Sequence, residues 1–107
     1  MIAFEDFQKL DIRIGKIISV EKVPETDKLV KLIFDIGSKE LQIIAGIAEH
    51  FEDLDELIGK QMPLIINLEP RKMRGLESQG MILAIDDNDG MVLLQPEKEV
   101  KSGSKVR

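Results

Sequence analysis

Three basic residues, Arg71, Lys72 and Arg74, fall within four positions, bounded by Pro70 and Gly75. Guanidinium groups grip phosphate with two parallel hydrogen bonds, and an ammonium does so as a point charge. The chemistry on offer is therefore the binding of a polyanion. The stretch that carries them, Asn67–Met81, runs between two apolar segments, Pro63–Asn67 and Met81–Ile85. Pro70 and Gly75 are expected to keep it out of helix and strand alike. An ordered connection of about a dozen residues is long for a compact domain, and such loops are usually functional. A solvated basic turn is the plainer reading of the same residues.

No other set of side chains supplies a reaction centre. The chain has no cysteine, which removes disulfides and thiolate metal sites. Its one histidine, His50, lies in an acidic segment with no nucleophile beside it in sequence. Gly75-Leu-Glu-Ser-Gln-Gly80 is one residue too long for a nucleophile elbow, and a strand follows it instead of a helix. Asp86-Asp-Asn-Asp-Gly90 resembles a calcium loop until it is aligned on Gly90, which puts Ile85 and Pro96 where carboxylates belong. A plain turn is expected there. The chain is expected to be non-catalytic, with no metal and no cofactor.

The formal net charge of −5 argues against a nucleic-acid partner only until its distribution is considered. Glu49, Glu52, Asp53, Asp55 and Glu56 form one acidic block, and Asp86, Asp87 and Asp89 another. Without those eight, bases outnumber acids, so a positive face can exist elsewhere. No stretch approaches the ~20 apolar residues of a membrane span. The N-terminus has no basic region followed by an apolar one, so no signal peptide is expected and the chain should be cytoplasmic.

The elements that must position the basic stretch follow from periodicity. At 107 residues and 43% hydrophobic, one domain over 1–107 is expected. Residues 3–10 read as a short helix, with Phe4, Phe7 and Leu10 on one face. Residues 11–23 alternate as a long first strand whose pattern slips around Gly15-Lys16-Ile17, where a bulge or bend is expected. Pro24–Asp27 is a turn, and 28–36 and 41–45 make a hairpin through Gly37-Ser38. Residues 46–59 read as a loop with one or two helical turns ended by Gly59. Strands at 62–68 and 80–85 follow, and the second should pair with 91–94. Residues 96–107 form a basic extension in which Val106 ends a last short strand.

This all-β order, with a short helix between the third and fourth strands, is that of the five-stranded OB-fold barrel. That fold binds oligonucleotides through its strand 2–3 face and its 1–2 and 4–5 loops. The 1–2 loop is then Pro24–Asp27, and the 4–5 loop is the basic stretch. Single-strand binders add stacked aromatics. This chain has no Trp, no Tyr and four Phe, so phosphate and shape recognition of a folded RNA is better supplied than base stacking.

Asp11-Ile-Arg-Ile-Gly15, Asp27-Lys-Leu29 and Asn67-Leu-Glu-Pro-Arg-Lys-Met-Arg-Gly-Leu-Glu-Ser-Gln-Gly-Met81 together resemble the tRNA-binding domain at the C-terminus of methionyl-tRNA synthetases. The same domain is similar to stand-alone structure-specific tRNA-binding proteins. The resemblance covers nearly the whole chain. It implies an OB barrel, a homodimer, and sequence-tolerant tRNA binding that raises the affinity of a fused or separate synthetase catalytic region for tRNA. Carried over by position, the RNA-facing residues are Lys28, Asn67, Arg71, Lys72, Arg74, Ser78 and Met81. Asn67 and Ser78 serve equally well as caps of backbone groups within the loop. Met81 fits a core role, and Lys28 a solvated strand end. Glu69 and Glu77 stand where the family is expected to carry Lys or an uncharged residue. The alternative function is that of a protein-binding export chaperone of the same fold. If the basic loop is only structural, the next candidates are Arg13, Lys16 and Lys31 on the barrel face.

Overall fold

The computed structural model describes residues 1–107. After a short helix α1 (Phe4–Gln8) the chain is β-structure: β1 (Ile12–Lys22), β2 (Val30–Asp35), β3 (Glu40–Ala45), β4 (Gln61–Ile65), β5 (Arg71–Met73), β6 (Leu76–Ser78), β7 (Met81–Ile82), β8 (Ala84–Asp87) and β9 (Gly90–Leu93). Five strands form one antiparallel sheet in the order β3-β2-β1-β4-β7. The sheet curls into a nearly closed five-stranded barrel, as expected. The pairs β5–β6 and β8–β9 are separate hairpins on it.

β1 serves two sheet partners because it is long and bulged. Lys16–Lys22 pair with β2, and Ile12–Lys16 pair with β4. The bulge lies between Ile17 and Ser19, and it turns Ile18 outward (39% exposed). It begins at the end of Gly15-Lys16-Ile17, where the alternation slips, and not at the glycine itself. Gly15 is needed for packing instead: a Cβ there would stand 2.6 Å from Leu64 Cδ1 and 3.0 Å from Phe34 Cδ1. Alternating inward residues of β1–β4, among them Ile17, Leu32, Phe34, Ile43, Met62 and Leu64, fill the interior.

Ile12, Ile14 and Ile65 are also buried but lie outside that cluster. The C-terminal extension runs along β1 there, where β2 no longer reaches. Ile14 N–H donates to Ser104 O (2.9 Å), Gly103 N–H to Ile14 O (2.7 Å) and Val106 N–H to Ile12 O (2.8 Å). Gln61 holds the same extension by accepting from Val100 N–H (3.0 Å) and donating to Val100 O (2.6 Å).

Several expected elements differ in form. The helix expected within 46–59 is two 3-10 turns, Ala48–His50 and Leu54–Leu57, the second capped by the Asp53 carboxylate on Asp55 N–H. These turns still fall between the third and fourth barrel strands, and Leu57 is fully buried in the core. The strand expected over 80–85 is broken at Leu83, whose N–H donates to Pro63 O (3.1 Å). Its first part closes onto β4, and its second leaves to pair with β9.

Candidate nucleic-acid interface

The basic stretch is not irregular. Arg71–Met73 pairs with Leu76–Ser78 as Arg71↔Ser78, Lys72↔Glu77 and Met73↔Leu76. Pro70 sits just outside the first strand, where a missing N–H breaks no ladder bond. The turn residues Arg74 (φ 53°) and Gly75 (φ 79°) are both left-handed. Two positive φ values in a two-residue loop match the twist of the flanking strands, so Gly75 makes the hairpin instead of preventing it. Arg74 is the unusual member, because few non-glycine residues adopt this conformation.

Four hydrogen bonds clip this hairpin to the free edge of β3. Gln79 N–H donates to Gln42 O (2.8 Å), and Gln42 N–H to Gln79 Oε1 (2.8 Å). Gln42 Nε2 donates to Glu77 O (2.9 Å), and Ile44 N–H to Ser78 Oγ (3.0 Å). The same bonds help close the barrel. Gly80 lies in the seam, where a Cβ would stand 2.8 Å from Ile65 O and 3.4 Å from Ile43 Cδ1.

Two of the expected RNA-facing residues are occupied by this framework. Ser78 is buried, and its hydroxyl also donates to Gly80 O (3.3 Å). Asn67 accepts from Asp11 N–H (2.8 Å) and donates to Lys9 O (2.7 Å), tying the start of the loop to the junction of α1 and β1. Only the Ser78 bond to Gly80 O is a cap within the loop, their second reading; the Asn67 partners and Ile44 lie outside it.

The four expected cations are all exposed. Strand alternation sends Arg71 and Met73 to one face of the hairpin and Lys72 to the other. Arg71, Met73 and Met81 line an apolar groove of about 230 Å³ against β3. Met81 is 37% exposed, so it is not a core residue. Arg74, at the tip, shares a hollow of about 360 Å³ with Lys28 and Glu25, Thr26, Asp27 and Glu49. The hairpin and the 1–2 loop thus meet at one rim. Thr26 braces that loop by donating to Val23 O and accepting from Leu29 N–H, both at 3.2 Å.

None of Lys28, Arg71, Lys72 and Arg74 makes a salt bridge, although acids lie close by. The alternative cluster is different. Arg13 pairs with Asp11 (2.7 Å), Lys16 with Glu99 (2.8 Å) and Lys31 with Glu21 (3.0 Å). An unpaired cation meets a phosphate without first losing a partner. Sequence reasoning missed Gln42 and Gln79, the residues that orient the hairpin. Their partners lie 37 positions apart, and nothing local marks them.

The sequence profile of the family described as "Putative tRNA binding domain" matches residues 12–105. A methionine–tRNA ligase from Archaeoglobus fulgidus is 52% identical over 105 residues, covering 98% of this chain and 16% of that protein. The chain spans about a seventh of the length of such curated relatives. Among solved structures, a MetRS-related protein from Pyrococcus horikoshii superposes with a TM-score of 0.93 at 36% identity, covering 100% of this chain and 98% of that one. The chaperone CsaA from Bacillus anthracis superposes at 0.90 with 32% identity, covering 100% and 99%.

Proposed function

The chain belongs to the tRNA-binding domain family, and on that premise we propose that it binds tRNA by shape and phosphate contact, without reading sequence. It acts as a dimeric auxiliary domain or subunit that raises the hold of a methionyl-tRNA synthetase on its tRNA. The observation that carries this reading is a set of exposed, unpaired cations, Arg71, Lys72 and Arg74 on one hairpin with Lys28 beside Arg74. Asn67 and Ser78 shape the loop that presents them. Met81 offers an apolar contact beside Arg71.

The test is a binding titration with bulk tRNA, duplex DNA and single-stranded RNA side by side, repeated over a range of salt. tRNA should bind best. Each phosphate contact should contribute roughly 0.7–0.9 log units of affinity loss per decade of salt. The Arg71→Ala, Arg74→Ala double variant should flatten the slope by about two contacts and weaken all tRNAs alike, because phosphate contacts position without specifying. Lys98→Ala, in the extension, is the control and should do little. An unchanged slope in the double variant would move the site to the barrel face. Capture of unfolded polypeptide in preference to tRNA would favour the chaperone reading.

A further inference from the structure

The groove between β3 and the basic hairpin presents apolar surface that phosphate binding leaves unused. Nine of its twelve lining residues are hydrophobic, including Ile44, Met73, Met81, Ala84 and Met91, and Arg71 is the only charged one. No carboxylate lines it, in contrast to the neighbouring hollow with Glu25, Asp27 and Glu49. An apolar slot with a single unpaired guanidinium matches a group that is flat and apolar at one end and anionic at the other. A nucleotide has that form, and an apolar peptide side chain has no anion for Arg71.

Size agrees. A cavity of roughly 150 Å³ takes up one benzene ring, so a groove of about 230 Å³ holds one base and not a stack of them. The methionines substitute for the missing aromatics, because a polarizable thioether makes favourable contacts with ring edges and faces. The loops of a folded RNA present bases that are already unstacked, and a contact to the face of a base tolerates any sequence. We infer that the groove receives one unstacked nucleobase of the bound RNA, with Arg71 at its phosphate. This rests on the RNA-binding reading and adds a base contact to a site otherwise built for phosphate.

The experiment titrates the intact protein with tRNAs in which each unpaired nucleotide is replaced, one at a time, by an abasic nucleotide. Replacement at one or two positions should weaken binding by about fivefold to a hundredfold. The salt slope should stay unchanged, because the phosphate is retained. Ala84→Phe, which fills the groove from an exposed strand position, should weaken unmodified tRNA similarly. It should lose nothing more at the sensitive abasic positions. Equal tolerance of every abasic position, or wild-type affinity in Ala84→Phe, overturns the base contact and leaves the tRNA reading standing. Loss of polypeptide capture in Ala84→Phe with tRNA affinity intact also overturns it, since the groove would then take a peptide. Failure of unmodified tRNA to bind overturns both.

Discussion

At the scale of single residues, Ser78 illustrates how a polar side chain in a loop proposed to bind RNA can be used by the barrel wall beside it. Its hydroxyl is the acceptor for Ile44 N–H inside the barrel wall. Ser78→Ala leaves that amide unsatisfied, and the expected loss is about 1–3 kcal/mol, read from urea unfolding. Wild-type stability in this variant would mean that the Ile44 amide finds another partner. The sequence could not distinguish the two roles, because the decisive partner lies 34 residues away. The cations were legible from composition, but their inequality was not. Arg74 faces Glu25, Asp27 and Glu49 across its hollow, whereas Arg71 shares its groove with no acid. Glu49→Gln should therefore strengthen tRNA binding at low salt by less than the ~0.2–1 kcal/mol of an exposed ion pair, since Glu49 and Arg74 are not in contact, and the gain should fade as salt rises. A gain that persists at high salt would require another cause.

At the scale of elements, the hairpin shows a conflict between conformation and charge. Arg74 holds a left-handed backbone that disfavours most side chains by roughly 1–2 kcal/mol, and Asn tolerates it far better. Arg74→Asn should stabilise the domain by up to about 1 kcal/mol while weakening tRNA binding. Measuring thermal unfolding and affinity on the same variant checks both halves. A variant that is less stable would mean that the arginine side chain supports the turn. Sequence reasoning took Pro70 and Gly75 as breakers, since neither suits a strand. It missed that a two-residue turn needs positive φ at both positions, which Gly75 supplies and Arg74 accepts.

The C-terminal extension is a second element whose hold can be tested. The hydrogen bond from Lys16, and then its charge, hold the Glu99 carboxyl below its ordinary range, although the side chain is exposed. A lowered value in the folded state stabilises above the unfolded carboxylate pKa, about 4.3. That contribution is lost as pH falls through the lowered value. The melting-temperature gap between wild type and Glu99→Gln should be small near neutrality, shrink with salt, and vanish in acid. A gap that survives acidification would assign the effect to packing.

At the scale of the whole molecule, the barrel leaves its two chain ends uncovered on one side. α1 has five residues and none is buried. Ile2 and Phe4 are 75% and 72% exposed, and the Phe4 and Phe7 rings stack at 6.4 Å. Phe4, Phe7 and Leu10 border a hollow of about 450 Å³ with Lys105, Val106 and Arg107. A helix this short does not persist in water on its own. Its local supports are the Asp6 carboxylate on Ala3 N–H and an exposed Lys9–Asp6 pair, worth little by themselves. The apolar surface at both termini supports the proposed dimer, in which a two-fold axis would place this patch against its own copy. Sedimentation should therefore give twice the 12.1 kDa chain mass at micromolar concentration. Phe4→Glu should shift the species to monomer without unfolding the barrel, since the side chain lies outside the core. If two rims then grip one tRNA, the second contact is intramolecular, so the monomer should lose more affinity than the loss of any single cation causes. A monomeric wild type with both termini intact, or a monomeric Phe4→Glu with unchanged affinity, would mean that one barrel holds tRNA alone and that the exposed helix serves a different surface.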